Sequence, residues 1–84
     1  MIKVLFFASY REKLGLSEYI VEANARALTL AALKLQLIAE NNDQWREVLE
    51  DKNLVQAVNQ AIVRDDWEVN SGDEVAFFPP VTGG

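Results

Sequence analysis

Apolar and polar positions along the chain change period several times, and each change marks an element. Residues 2–8, IKVLFFA, are β-branched and aromatic and predict a strand. In that strand Ile2, Val4, Phe6 and Ala8 share one face, and Lys3, Leu5, Phe7 and Ser9 share the other. SYREKLGLS follows as a polar connection with Gly15 as its turn residue. A second strand over about Glu18 to Ala23 then pairs with the first as a hairpin. Thr29 is placed to cap a helix through about Glu40, in which Leu30, Leu33, Leu37 and Ile38 recur as the stripe of a helix packed on a sheet. NND at 41–43 closes it, and Trp45, Val48 and Leu49 predict a further helical turn. Strands are expected at about 55–59 and 61–64, around a turn at Asn59 and Gln60. NSGD at 70–73 is a turn, and Glu74 to Phe78 is the last strand. Pro79 and Pro80 lack N–H donors, so the pattern stops there on an extended path.

The order β, β, α, β, β, β predicts an α+β domain, a mixed sheet of four to five strands with one main helix on one face. The right-handed crossover rule sets the last strand parallel to the first and beside it, which is the β-grasp, or ubiquitin-like, arrangement. Residues 1–78 are expected to form this domain and residues 79–84 a free tail ending in Gly-Gly. The chain has 84 residues, half of them hydrophobic and a quarter charged, the balance of one small folded domain. No apolar run is long enough to cross a bilayer, and the N-terminus lacks the features of a signal peptide, so a cytoplasmic location without membrane association is expected.

Composition narrows the chemistry further. Without Cys or His the chain has no disulfide, thiolate nucleophile, Cys/His metal site or neutral-pH imidazole base. A net charge of -5 and scattered cations argue against nucleic acid and for a protein partner with a basic docking face. Glu12, Glu18 and Glu22, and Asp65, Asp66 and Glu68, read as solvated charge rather than acid–base pairs. Asp73 and Glu74 suit turn chemistry. Trp45 and Trp67 read as core or loop-covering residues, since no basic groove accompanies them.

Two features are left to carry function. If Ile2, Val4, Phe6, Val75 and Phe77 face the helix, alternation sends Leu5, Phe7, Ala76 and Phe78 to the opposite face. With Ile62 they would form an apolar docking surface, unless the loop containing Trp67 folds over them. The second feature is the tail, six residues that reach roughly 20 Å when extended. Gly83 and Gly84 carry no Cβ, so the backbone can pass a narrow channel. A carboxylate is a poor electrophile, but an acyl-adenylate has AMP as its leaving group. Attack by sulfide would then leave a thiocarboxylate, and attack by a persulfide would do so once a thiol has cleaved the acyl disulfide it forms. On physics alone a frayed end is the better explanation of the glycines.

MIKVLFFA at 1–8, RE with LG at 11–15, AVNQ at 57–60 and above all GDEVAFFPPVTGG at 72–84 resemble the small, sulfur-carrier subunit of molybdopterin synthase. The stretch from Ala25 to Glu50 matches mainly in pattern. The resemblance implies that Gly84 is adenylated by a ubiquitin-activating-type adenylyltransferase using ATP and magnesium, while the chain itself binds no cofactor. A sulfur donor such as a persulfide-bearing sulfurtransferase then yields the thiocarboxylate. The carrier delivers sulfur to cyclic pyranopterin monophosphate in the large subunit, within a heterotetramer, as its non-catalytic subunit. Gly83 becomes the channel-passing residue, and Pro79, Pro80, Val81 and Thr82 the inserted stalk. Phe7, Ile62 and Phe78, with Leu5, match the docking surface. The alternatives are a carrier for thiamine or tRNA thiolation, a protein-conjugating modifier, or an interaction module whose tail has no chemistry.

Overall fold

The computed structural model of the chain describes residues 1–22 and 28–80. Its elements are β1 (Ile2–Phe6), α1 (Ala8–Leu14), β2 (Glu18–Val21), β3 (Leu28–Thr29), α2 (Leu30–Glu40), α3 (Asp43–Leu49), β4 (Val55–Val58), β5 (Ala61–Ile62), β6 (Glu68–Val69) and β7 (Glu74–Phe78). Five strands form one mixed sheet in the order β2-β1-β7-β4-β5, and β3 and β6 form a small ladder of their own. The central pair, β1 and β7, is parallel, with Val4 opposite Val75 and Phe6 opposite Phe77. β2 flanks β1 antiparallel and β4 flanks β7 antiparallel. The chain has the β-grasp fold.

The core follows from the alternation. Ile2, Val4, Phe6, Val75 and Phe77 are buried against Leu30, Leu33 and Leu37 of α2 and Trp45, Val48 and Leu49 of α3. Phe6 meets Trp45 edge-on at 5.0 Å and stacks on Phe77 at 5.7 Å. Thr29 caps α2 as its position predicts, its Oγ1 accepting from the Ala32 N–H at 3.1 Å. Asn59 and Gln60 turn the β4–β5 hairpin with φ of 49° and 72°, the left-handed pair that matches strand twist.

The structure corrects the sequence reading in four places. SYREKLGLS is not a connection: Ala8–Leu14 is α1, closed by Gly15 at φ 74° with its N–H bonded to the Arg11 carbonyl. Consequently β1 ends at Phe6, and β1 and β2 pair antiparallel, as expected, but with a helix between them in place of a polar connection. The helical turn around Trp45 is a helix of seven residues, capped by Asn42 Oδ1 on the Gln44 N–H. The β3–β6 ladder has no counterpart in the pattern, because two residues are too few to show a period of two. Smaller differences are strand ends: β4 stops at Val58 and β5 at Ile62, and the predicted end of the second strand at Ala23 lies outside the described residues.

Candidate functional site: an apolar sheet face at the end of the last strand

The sheet's second face is built by cross-strand register. Leu5 pairs with Ala76, Ala76 with Ala57 and Ala57 with Ile62, which sets one apolar row across β1, β7, β4 and β5. Directly opposed residues of neighbouring strands point to the same side. One step further along β7, Phe78 pairs with Val55, and Phe7 leaves β1 beside it. The Phe7 N–H donates to the Phe77 carbonyl at 3.2 Å, and the rings of Phe7 and Phe78 meet nearly perpendicular at 6.2 Å. The two Phe-Phe doublets are thus divided by the pleat. Phe6 and Phe77 stack in the core, and Phe7 and Phe78 pair outside.

Phe7 is 43% exposed and Ile62 68%, while Leu5 and Phe78 are half-buried. Four of the residues singled out from the sequence are therefore gathered on one face. The Trp67 loop does not cover it. The Leu30 N–H donates to the Trp67 carbonyl at 2.9 Å and β6 pairs with β3, which fastens that loop to the start of α2. Pro79 is half-buried and Pro80 exposed, leaving directly from Phe78. Val81, Thr82, Gly83 and Gly84 lie outside the described residues.

Register also adds Val55 and Ala57, which the sequence reading passed over. Their place depends on β4 pairing with β7, a contact across some twenty positions that no local pattern announces. At the far edge the face turns polar: Lys3 lies opposite Glu74 and Ile20, and its Nζ is 3.5 Å from Glu18 Oε1. That ion pair is solvent-exposed and adds little stability. Its consequence is a polar border on an apolar surface, the anatomy of a protein–protein interface. Among the described residues no group of three or more Asp, Glu, His or Cys could hold a metal ion, and no helix is long and apolar enough to cross a membrane.

The ThiS family model matches residues 4–84. The molybdopterin synthase sulfur carrier subunit of Escherichia coli (strain K12) is 51% identical over 84 residues, covering all of both chains. A putative molybdopterin converting factor subunit 1 from Pyrococcus furiosus has a similar structure, with 30% identity and a TM-score of 0.77 over 95% of this chain and 97% of its own. The complex of subunits 1 and 2 of molybdopterin-converting factor from Helicobacter pylori contains a chain with a TM-score of 0.65 and 24% identity, over 99% and 97%. The chain belongs to the ThiS family, among the molybdopterin synthase sulfur carrier subunits.

Proposed function

We propose that this protein is the sulfur carrier of molybdopterin synthase, acting in molybdenum cofactor biosynthesis as a non-catalytic subunit. The observation that carries this reading is that β7 supplies both halves of such a device: Phe78 belongs to the apolar face, and the next residue begins the tail. A partner that seats the face thereby aims the tail. The family match runs through Gly84, which supports giving the chemistry to that residue.

In this reading the Gly84 carboxylate attacks the α-phosphorus of ATP within an adenylyltransferase that binds the magnesium, releasing pyrophosphate and forming an acyl-adenylate. Hydrosulfide displacing AMP leaves the thiocarboxylate directly; a persulfide displacing AMP leaves an acyl disulfide, whose S–S bond a thiol then attacks, releasing the thiocarboxylate and carrying the donor sulfur off as a disulfide. The loaded tail, Pro79 to Gly84, enters the large subunit, where the sulfur passes to cyclic pyranopterin monophosphate and the carboxylate is restored by water. Gly83 lets the backbone pass a narrow channel, and Pro79 and Pro80 limit the freedom of the stalk. Two carriers and two large subunits form the assembly, in the cytoplasm. Leu5, Phe7, Ile62 and Phe78 are the contact residues on this chain.

The test is the intact mass of the protein after incubation with adenylyltransferase, ATP, magnesium and a sulfur donor, beside a chain lacking Gly84. Oxidation of Met1 gives nearly the same mass gain as exchange of oxygen for sulfur, so alkylation of the new thiol must accompany it. A gain that alkylates and vanishes in the deletion is expected. An unchanged mass with an enzyme active on another carrier would overturn the reading.

A further inference from the structure

β7 lies in the middle of the sheet, between β1 and β4, so its backbone bonds in two directions. Successive residues of a strand turn their N–H groups to opposite sides. The bonds around β7 set the phase. Toward β4, the Asn59 N–H donates to the Glu74 carbonyl at 2.8 Å, and the register pairs Ala76 with Ala57 and Phe78 with Val55. Glu74, Ala76 and Phe78 therefore bond on that side. Toward β1, the Lys3 N–H donates to the Asp73 carbonyl at 3.1 Å and the Phe7 N–H to the Phe77 carbonyl at 3.2 Å, so Asp73, Val75 and Phe77 bond on the other. One step further along each ladder, the next donor toward β1 falls to residue 79, with the Phe7 carbonyl as its acceptor. The next donor toward β4 falls to residue 80, opposite the Asn53 carbonyl.

Both positions are proline, which has no N–H. One proline would end one ladder and leave the other free to run on, whereas two in succession end both. The Phe7 carbonyl shows what the first omission protects. It accepts from the Tyr10 N–H at 3.2 Å and the Arg11 N–H at 3.4 Å, the opening bonds of α1. No side chain caps that end of the helix, so the first turn depends on this carbonyl. A donor at residue 79 would compete for it. On the other side, Asn53 stands in the turn closed by the Leu54 N–H on the Asp51 carbonyl at 3.0 Å, and its own N–H donates to Asp51 Oδ1 at 2.9 Å. Neither bond uses the Asn53 carbonyl, so an ordinary residue at 80 would have an acceptor for one more rung.

We propose that Pro79 and Pro80 are positioning residues for the carrier reaction: each withholds the N–H that β7 would next offer to one of its two neighbours. The chain thus parts from the sheet at Phe78, and the tail is not drawn back onto its own domain. The purpose rests on the carrier reading, while the bonding pattern stands without it. A tail paired to β1 or β4 for part of the time is withheld from its enzymes for that fraction, which weakens apparent affinity rather than slowing chemistry.

The test uses the ¹⁵N-labelled full chain with Pro79→Ala, with Pro80→Ala and with both. In Pro80→Ala the new amide at position 80 is expected to exchange at least tenfold more slowly than an unstructured amide and to show a cross-strand NOE to Asn53. In Pro79→Ala the new amide at position 79 is protected likewise, while the Tyr10 and Arg11 amides lose protection at least threefold. Sulfur loading of Gly84 in the double variant should show KM for the carrier raised at least threefold, with a smaller change in kcat. Chains made by semi-synthesis with N-methylalanine in place of Pro79 and Pro80 lack both the donor and the ring. They are expected to return KM, and the protection of Tyr10 and Arg11, to wild-type values. New amides that exchange as in an unfolded chain would overturn the proposal, as would an unchanged KM in the double variant. So would N-methylalanine chains that behave like the alanine ones, since ring stiffness would then be the cause. If the wild-type chain itself takes up no sulfur, the carrier reading fails, and the amide measurements alone decide whether the prolines stop the ladders.

Discussion

Tyr10 and Asp51 meet across 41 positions, the tyrosine hydroxyl donating to Asp51 Oδ2 at 3.0 Å. Burial, reinforced by the hydrogen bond and the negative charge of Asp51, pushes the phenol up to about 12. Asp51 moves the other way, held below the usual carboxylate range first by the Asn53 N–H and then by the tyrosine. The folded chain keeps the phenol proton that the unfolded chain loses from pH 10, so stability contributed by Tyr10 is complete below pH 10 and lost as pH rises toward about 12. The depressed carboxylate contributes stability above its unfolded value near 3.8 and loses it as pH falls through the folded value. Tyr10→Phe should cost about 1 kcal/mol at pH 7. It should also flatten the loss of stability between pH 10 and 12, as urea unfolding across that range would show. Neither partner was legible as such, because a single polar residue beside a turn carries no signal of what lies 41 positions earlier.

At the scale of elements, what could be read depended on length and on repetition. α2 was legible because eleven residues contain both a cap and a full stripe. α1 was not: in seven residues only Tyr10 and Leu14 supply an i, i+4 apolar pair, and the Phe7 side chain makes no cap. Its end was visible, though, in Gly15. Gly15→Ala meets no atom within 4 Å, so its cost is the left-handed backbone at φ 74° alone, about 1–2 kcal/mol in thermal or urea unfolding. Thr29→Ala removes the hydroxyl that accepts from the Ala32 N–H and should cost about 1 kcal/mol, with loss of amide-exchange protection confined first to the start of α2.

For the whole molecule, the candidate face was legible as to which side Leu5, Phe7 and Phe78 take, because a period of two fixes side. Its extent was not, since Val55, Ala57 and Ile62 join it only through the β4–β7 and β4–β5 registers. Phe78→Lys tests the face as a unit. The side chain is only half-buried, so the variant should fold, while binding to a molybdopterin synthase large subunit falls at least tenfold by calorimetry, since seating a phenylalanine contributes about 1.5–3 kcal/mol. Wild-type affinity in that variant would remove Phe78 from the interface.

The parallel seam between β1 and β7 has a consequence for how the protein is made. The strand that completes the middle of the sheet, Glu74 to Phe78, is synthesised some seventy residues after its parallel partner, and until it emerges the apolar strand Ile2–Phe6 has an open edge. A nascent or prematurely terminated chain is therefore a sticky species that chaperones or proteases must handle. A message truncated anywhere before β7 loses both at once: the same strand that closes the sheet carries Phe78 and leads into Pro79, so a chain that lacks the strand also lacks everything attached beyond it.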